Sequence, residues 1–411
     1  MKTIKLIILV IILSITSFSC NKDDNPSPEI PDIILNLKEQ SLVNSSNKFG
    51  FDLFNKINNS EDQNKNIFIS PLSVSFALAM TYNGADNETK TAMEETLRLN
   101  GLTTDEINNS FKNIMNSLIG LDPKVAFNIA NSIWYRDSYH VEQNFIDVNK
   151  NYYDAEVNAL DFADSQAKNI INKWVADKTN NKIKEIVDNI SPETVMYLIN
   201  AIYFKGNWKY KFDSSDTESK PFYLADGTTK NVLMMQQESS FNYLSNDIFE
   251  AVEMPYGGEK FSMVVLLPKN DKTTSDIINE LNDDNWNAWL NGFQKLDNIH
   301  IIMPKFKFQY EKKLNDVLID MGLGIAFSDR ADFTKINPKG GIAISKVKHK
   351  TFVDVNEEGT EAAAVTSVEI SYTSIGPSNV FNANKPFVFA IREKSTNSII
   401  FIGKMAEPDY E

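Results

Sequence analysis

The chain has few of the residues that build catalytic or metal centres. Its 411 residues include one cysteine, Cys20, and three histidines, His140, His300 and His349. There is no His-Glu-x-x-His pair, no glycine-rich phosphate loop and no Gly-x-Ser-x-Gly elbow. A single thiol excludes an intrachain disulfide, so packing alone must stabilise the fold. We therefore predict no metal, no cofactor and no catalytic residue.

The chain also lacks runs of lysine or arginine. Its 41 basic residues face 55 acidic ones, which leaves a net charge of −14. Nucleic acids and polyanionic sugars bind clustered positive charge, so we predict neither as a partner. A hydrophobic content of 42% with 26 phenylalanines supports a globular core. Because no interior linker or repeat interrupts it, we predict one monomeric domain over residues 40–411.

The first 20 residues have the pattern of an export signal. Two lysines precede an apolar run over residues 6–15 that is too short to span a bilayer. Residues 1–19 resemble a bacterial lipoprotein signal peptide, with Cys20 as the lipidated first residue of the mature chain. Ser17 stands where that pattern more often has leucine, so an ordinary secretory leader is the alternative.

Residues 20–39 are expected to form a tether. The segment is charged and rich in proline, a composition that keeps a chain extended. Lys22-Asp23-Asp24 resembles the acidic surface-export signal of Bacteroidetes lipoproteins. The pattern predicts an outer-membrane lipoprotein on the cell surface, and without that signal the domain would face the periplasm.

Hydrophobic periodicity predicts an α+β domain with large antiparallel sheets. Helices are predicted at about 40–58, 70–84, 87–98, 103–119, 142–151 and 165–180. Strands are predicted near 125–134, 194–204, 251–256, 261–267, 299–307, 351–355, 386–392 and 398–403.

The segment 357–378 has features of both a strand and a loop. Small or apolar side chains occupy alternate positions, namely Thr360, Ala362, Ala364, Thr366, Val368 and Ile370. The acids Glu361 and Glu369 fall on the opposite, polar face. A strand of this length, about 50 Å, exceeds the usual strand, and its Ala-rich start has poor strand propensity. We therefore predict a segment that enters a sheet late, with a solvated linker as the alternative.

Several separated blocks of sequence resemble one family. They are Asn66-Ile67-Phe68-Ile69-Ser70-Pro71-Leu72-Ser73, Asn200-Ala201-Ile202-Tyr203-Phe204-Lys205-Gly206-Asn207-Trp208, Met254-Pro255-Tyr256, Pro304-Lys305-Phe306 and Phe401-Ile402-Gly403-Lys404. These blocks follow one another in the order found in the serpin family, and the chain resembles that family over roughly residues 40 to 409. The resemblance implies a single domain with a large mixed central sheet, further sheets, about eight or nine helices and an exposed reactive-centre loop.

The resemblance also indicates which residues form the hinge and the reactive bond of the loop. Its hinge corresponds to Glu357, Glu358, Gly359, Thr360, Glu361, Ala362, Ala363 and Ala364. We expect Gly359 to mark the turn where the loop reverses. The family's spacing places the reactive bond between Thr373 and Ser374, with Tyr372-Thr373 as the nearest competitor.

The loop composition limits the target proteases. Residues 357–384 contain no lysine or arginine, so a trypsin-like specificity pocket finds no matching side chain. Elastase-like or subtilisin-like serine proteases fit Thr373, chymotrypsin-like ones fit Tyr372, and papain-like cysteine proteases remain open.

Five further residues match the family's controls of sheet opening. Ser70, Ser73, Asn200 and His349 correspond to its shutter cluster, and Trp208 corresponds to the tryptophan at the breach. Each has a simpler interpretation as core packing or a helix cap, since Ser70 before Pro71 is a good N-cap.

The predicted function is suicide inhibition of serine proteases by loop cleavage, acyl-enzyme trapping and insertion of the loop into the central sheet. The alternative is a non-inhibitory serpin that acts as a binding or structural module. The hinge favours the inhibitor, because its inner face has no charge, proline or bulky residue.

Overall fold

The computed structural model describes residues 30–361 and 379–410. Residues from Asp32 onward form one compact unit. The predicted signal peptide, the lipidation site Cys20, and hinge residues Ala362, Ala363 and Ala364 lie outside the described residues. So do the predicted reactive-bond residues Tyr372, Thr373 and Ser374.

Nine α-helices lie within the described ranges, which agrees with the expected eight or nine. They are α1 (Leu37–Ser60), α2 (Pro71–Tyr82), α3 (Asn87–Thr96), α4 (Thr104–Leu118), α5 (Gln143–Tyr153), α6 (Ala167–Lys178), α7 (Thr274–Glu280), α8 (Asp283–Gly292) and α9 (Asn315–Leu318). Among these described helices, none combines the length and the hydropathy needed to cross a membrane.

Fifteen strands are formed by the same described residues. They are β1 (Ile67–Ile69), β2 (Val125–Arg136), β3 (Ala155–Leu160), β4 (Met196–Asn207), β5 (Glu218–Tyr223), β6 (Thr229–Ser245), β7 (Phe249–Pro255), β8 (Phe261–Pro268), β9 (Gln294–Pro304), β10 (Phe306–Lys313), β11 (Lys348–Asn356), β12 (Gly359–Thr360), β13 (Asn379–Asn382), β14 (Phe387–Glu393) and β15 (Ile399–Met405).

The strands form two sheets that share one hydrophobic core. The six-stranded central sheet has the order β10-β11-β12-β4-β2-β3. It is mixed, because β3 runs parallel to β2 while the other neighbours are antiparallel. The second sheet has the order β1-β15-β14-β8-β7-β6-β9-β13, with β5 paired to β6. Its strands β8, β14 and β15 are buried along their whole length, which explains why apolar residues predominate in them.

The first two helices begin at clear caps. Asn36 and Glu39 form a reciprocal capping box, so α1 begins three residues before its predicted start and inside the segment 20–39 assigned to the tether. Ser70 caps α2, with Pro71 at the first helical position. Helix α2 is buried on nearly every side, and it packs against β4, β15 and α1. This placement brings Ser70 and Ser73 under the central sheet.

The longest strand, β6, was not predicted. Its middle contains Gln236-Gln237-Glu238-Ser239-Ser240, a polar run that lacks alternation and is typical of a loop. Pairing with β9 over residues 234–243, and with β5 and β7 at its two ends, nevertheless makes it a strand. The predicted strand 299–307 is two strands that meet at Lys305, because the chain passes there from the second sheet to the central sheet.

Candidate functional site: the hinge and the cleft in the central sheet

The described part of the hinge, residues 357–361, contains a two-residue strand held between two neighbours. In β12, Thr360 lies opposite Val355 of β11 on one side and Gly206 of β4 on the other. The Glu361 amide extends the ladder by donating to the Asp354 carbonyl at 2.6 Å. The start of the hinge therefore already occupies a strand position in the central sheet.

Gly359 stands at the turn and also lies against the backbone of a neighbouring strand. The turn is formed by Glu357 and Glu358, and Gly359 is the first strand residue after it. Its φ is +152°, and a β-carbon there would lie 2.1 Å from the carbonyl oxygen of Gly206. Gly359 thus closes the turn at which the chain reverses, where it pairs with Asn356 of β11. Glycine is needed because two backbones approach each other closely at this point.

Charged groups hold the turn in place. Glu357 forms an ion pair with Lys305 at 2.9 Å and accepts a hydrogen bond from the Thr217 hydroxyl at 2.7 Å. Burial raises the pKa of Glu357, but the hydrogen bonds from Lys305 and Thr217 outweigh it and leave the pKa below its ordinary value. Glu358 forms an ion pair with Lys211. These partners were not predicted, since nothing in the local sequence connects them to the hinge.

The C-terminal segment contacts the same ion pair. The ammonium of Lys305 lies 4.3 Å from the centroid of the Tyr410 ring, within the range of a cation–π contact. The side-chain amide of Asn356 donates to the Tyr410 hydroxyl at 3.3 Å, and the backbone amide of Lys307 donates to the Asp409 carbonyl at 2.7 Å. The chain's last described residues thus pack beside the hinge.

Trp208 lies beside the hinge, as the resemblance implied. Its backbone amide donates to the Glu358 carbonyl at 2.8 Å, and its indole nitrogen donates to the Asn356 carbonyl at 2.9 Å. The indole stacks on the Tyr256 ring with a centroid distance of 4.5 Å. Both aromatic residues are buried. Trp208 therefore connects the end of β11 and the hinge turn to the core.

Glu361 departs from the predicted polar face. Its side chain is only 8% exposed and forms an ion pair with Lys182 at 3.1 Å. Burial raises the pKa of Glu361 above its ordinary value, against the opposing effect of Lys182. This polar face is covered at Glu361 by the chain after α6, which contributes Lys182. A φ of +58° at Glu361 also ends β12.

The predicted shutter residues are only partly brought together. The Ser70 amide donates to His349 Nε2 at 3.0 Å. The Ser70 hydroxyl donates to the Ile400 carbonyl at 2.7 Å and accepts from the Ser73 amide at 3.2 Å. Ser70 is thus both a helix cap and a partner of His349, so the two interpretations do not exclude each other.

Asn200 has a different partner. Its amide nitrogen donates to Asn131 Oδ1 at 2.8 Å, and no hydrogen bond joins Asn200 to His349 among the described residues. Its own Oδ1 is buried without a hydrogen-bond partner in the same part of the chain. Asn131 was not predicted as a member of this group.

A cleft separates Asn200 from His349. It encloses about 520 Å³ between residues 193–200, at the start of β4, and residues 340–349, which lead into β11. Ser73, Asn200 and His349 all line it. In the described part of the central sheet, β4 and β11 are connected only through β12. The cleft therefore continues the strand position that β12 begins.

His349 is buried at the wall of this cleft. Its ring accepts a hydrogen bond from a backbone amide, which requires a neutral, unprotonated Nε2. Burial lowers the pKa of His349 to about 4. A protonated His349 would place a charge in a buried site and would lose the bond from the Ser70 amide.

Comparison with known proteins agrees with this architecture. Residues 44–408 match the family model described as serpin (serine protease inhibitor). An uncharacterized serpin-like protein of Methanosarcina acetivorans is 34% identical over 382 residues, which cover 91% of this chain and 88% of that protein.

Solved structures are similar over nearly the whole chain. The thermophilic serpin tengpin in its native state has 33% identity and a TM-score of 0.82, covering 92% of this chain and 96% of its own. Human thyroxine-binding globulin, solved with thyroxine bound, has 30% identity and a TM-score of 0.82, covering 91% of this chain and 100% of its own.

Acidification is expected to destabilise the fold through His349. The folded-state pKa of about 4 lies below the unfolded value, so only the unfolded state gains a proton between about pH 6.5 and 4. The neutral, buried His349 therefore contributes fully to the free energy of unfolding above about pH 6.5. This contribution is about 2 kcal/mol smaller at pH 5 than at pH 7. Denaturant unfolding at pH 7 and 5 measures it.

In that experiment, His349→Gln should show a weaker loss of stability between the two pH values than the wild type. The exposed His140 provides the matched control, and His140→Gln should keep the wild-type dependence. Equal pH dependence of the wild type and His349→Gln would contradict the assignment.

Gly359→Ala should displace the hinge from the sheet. The added methyl would overlap the Gly206 carbonyl, and such overpacking costs about 1–3 kcal/mol. About 1.4 kcal/mol corresponds to a tenfold change, so amide exchange of the 356–361 peptide should accelerate roughly tenfold. Gly324→Ala is the control, because its β-carbon would make only an ordinary contact at 3.7 Å. Unchanged exchange in Gly359→Ala would show that the close approach is unimportant.

Proposed function

This chain belongs to the serpin family, and we propose that it inhibits serine proteases as a suicide substrate. Serpins are in general protease inhibitors and not catalytic enzymes. One observation carries the proposal for this chain. The hinge strand β12 occupies the position between β11 and β4, and the cleft beyond it has room for more of the same strand.

Cleavage would begin at the loop. The serine hydroxyl of the protease attacks the carbonyl carbon of Thr373, and the bond to the Ser374 nitrogen breaks. The Ser374 amine takes up the proton that the hydroxyl released, while Thr373 remains bound to the protease as an ester. Insertion of the freed strand then carries the protease away before water hydrolyses the ester. Strand insertion of this kind is an established behaviour of serpins.

The pairing of Thr360 indicates where the inserted strand would lie. Each residue further along the loop moves one residue back along both β4 and β11, because β12 is antiparallel to both. Six residues beyond Thr360, the loop residue would fall between Asn200 and His349. The predicted shutter residues therefore flank the path of insertion, which supports a role for them in opening the sheet.

The composition of the loop favours insertion on energetic grounds. Thr360 is buried and faces the core, so the alternate residues after it would face the core as well. None of those residues through Ile370 is charged or proline. About fifteen new strand hydrogen bonds at about 1 kcal/mol net each rival the stability of a typical domain. Ordering the loop opposes this gain, and burial of the inner face supplies the remainder.

The target proteases follow from the side chains near the reactive bond. We propose elastase-like or subtilisin-like enzymes for Thr373, and chymotrypsin-like ones if cleavage follows Tyr372. Papain-like cysteine proteases are further candidates. The acidic loop environment, with no lysine or arginine over residues 357–384, argues against trypsin-like enzymes.

The second candidate function is a non-inhibitory serpin that binds a ligand or partner. It is favoured by the similarity to thyroxine-binding globulin and by the geometry of Glu361. The buried Glu361–Lys182 ion pair and the positive φ end the strand after Thr360. Further insertion must rearrange both, and a loop that stopped there would be cleaved without trapping.

We further propose that the protein is a lipoprotein of the outer membrane. A lipid on Cys20 would anchor it, the following polar segment would act as the tether, and Lys22-Asp23-Asp24 would direct it to the cell surface. The sequence pattern of residues 1–24 supports this proposal.

Trapping tests the inhibitor directly. The purified mature protein is incubated with an elastase-like and a subtilisin-like protease, and the products are examined by denaturing gel and mass spectrometry. We expect a covalent complex that resists denaturant, with a released peptide beginning at Ser374. Clean loop cleavage with the protease still active would instead support the binding module.

Thr360→Arg should convert the inhibitor into a substrate. Thr360 is 4% exposed, so seating arginine there would bury a charge that has no prepared partner. The number of inhibitor molecules consumed per trapped protease should rise at least tenfold, while the rate of loop cleavage is retained. Thr360→Ser is the matched control and should trap normally. Unchanged trapping by Thr360→Arg would refute insertion from this end of the loop.

Cys20→Ala should release the protein from membranes, because it removes the only thiol that could carry a lipid. Fractionation of cells that express the full chain, followed by detection of the protein in membrane and soluble fractions, checks this. Ser19→Ala serves as a control next to the cysteine. Persistent membrane association of Cys20→Ala would contradict the lipid anchor.

A further inference from the structure

The hinge strand makes one buried side-chain contact that is neither an ion pair nor part of the strand pairing. The Thr360 hydroxyl lies 2.5 Å from the Tyr256 hydroxyl, beneath the point where β12 enters the central sheet. We propose that Tyr256 is a positioning residue for loop insertion, because its hydroxyl receives the Thr360 side chain and favours the seated hinge. This inference rests on the proposed function, since it concerns the first step of insertion.

The Tyr256 ring is held rigidly. Tyr256 is fully buried, and its ring stacks on Trp208 at an interplanar angle of 12°. The edge of Phe204 packs against it with a centroid distance of 5.2 Å. Its backbone amide donates to the Phe261 carbonyl at 2.9 Å. The ring thus presents its hydroxyl at one defined place under the sheet.

The backbone above the ring is adapted to this arrangement. A β-carbon on Gly206 would lie 2.9 Å from the Tyr256 ring, closer than real contacts allow. Gly206 is also the residue of β4 that lies opposite Thr360. The absence of a side chain there lets the tyrosine reach the hinge strand.

The Tyr256 hydroxyl depends on Thr360 for its hydrogen bond. Within residues 30–361 and 379–410, Thr360 is its one hydrogen-bond partner. Burial raises the pKa of Tyr256 well above its usual range, so the group is a neutral phenol at all physiological pH values. A buried hydroxyl without a partner is unfavourable. When Thr360 leaves the sheet, the phenol loses its partner, and this loss favours the seated state.

The same contact selects the residue at position 360. A hydroxyl on a short side chain satisfies the phenol, whereas an apolar side chain of equal size leaves it unpaired and a larger one meets the ring. Valine has nearly the shape of threonine, so Thr360→Val removes the hydrogen bond while the packing remains. Tyr256→Phe likewise removes the hydroxyl and keeps the aromatic ring.

A double-mutant cycle tests the proposal in the full, uncleaved chain. The variants are Tyr256→Phe, Thr360→Val and the two together, and the measured quantity is the amide exchange of the 357–361 peptide. Each single variant should accelerate exchange about fivefold, because either one removes the bias toward the seated hinge. The double variant should exchange at the rate of the singles, since only one interaction is being removed. Thr360→Ser should restore the wild-type rate.

Two outcomes of that cycle would overturn the proposal. If the effects of the two substitutions multiply, each residue acts through its own packing and not through the shared hydrogen bond. If neither substitution changes exchange, the contact does not hold the hinge. Tyr243→Phe is the matched control, because its hydroxyl lies 3.0 Å from Glu250 on the second sheet. Combined with Thr360→Val, it should leave the effect of Thr360→Val unchanged.

A second readout separates this proposal from the proposed function. With a protease that the wild type traps, Tyr256→Phe should raise the number of inhibitor molecules consumed per trapped enzyme. The thermal unfolding midpoint is measured in parallel, and the change in that number should not follow the change in the midpoint. If the wild type traps no protease while the exchange coupling is present, inhibition fails and the role of Tyr256 in seating the hinge stands. If trapping is normal but the coupling is absent, the proposal for Tyr256 fails and inhibition stands.

Discussion

The structure depends on the placement of two residues, Gly359 and Thr360, between β11 and β4. One strand of this kind holds its two neighbours about 10 Å apart, twice the spacing of paired strands. β4 and β11 therefore cannot pair with each other along the same stretch, and a cleft of strand width follows where β12 ends. The cleft, the exposure of Asn200 and His349 to it, and the path open to the loop are consequences of this one pairing.

The groups around the hinge differ in charge from one part of it to the next. At the turn, the carboxylates of Glu357 and Glu358 form ion pairs with Lys305 and Lys211, which offset the cost of removing these groups from water. Below the sheet, the contact is between two neutral hydroxyls, Tyr256 and Thr360. At the wall of the cleft, His349 is neutral and accepts a backbone hydrogen bond. The charges of the hinge are thus those of the turn and of Glu361, while the groups that contact Thr360 and line the cleft at His349 are neutral.

Glu361 is the residue at which the two functional candidates differ. It is buried against Lys182 and ends the hinge strand, although the alternation of the loop continues beyond it. For an inhibitor, this ion pair must rearrange when the strand advances, and the register of Thr360 leads the advancing strand between Asn200 and His349. In a binding module, the same ion pair would prevent the loop from inserting beyond Thr360. The composition of the loop favours the first, because its inner face through Ile370 has no charge and no proline.

The sequence by itself determined the features that neighbouring residues encode. The bounds of α2 to α6 follow from periodicity and caps, the single cysteine excludes an intrachain disulfide, and the inner face of the loop consists of small or apolar residues. The tertiary structure alone decided that β6 is a strand, that Gly359 is needed for a close approach to Gly206, that Glu361 is buried, and that Asn200 bonds to Asn131. The role of Tyr256 also became visible only there. These features depend on which distant segments meet, and local propensity carries no information about that choice.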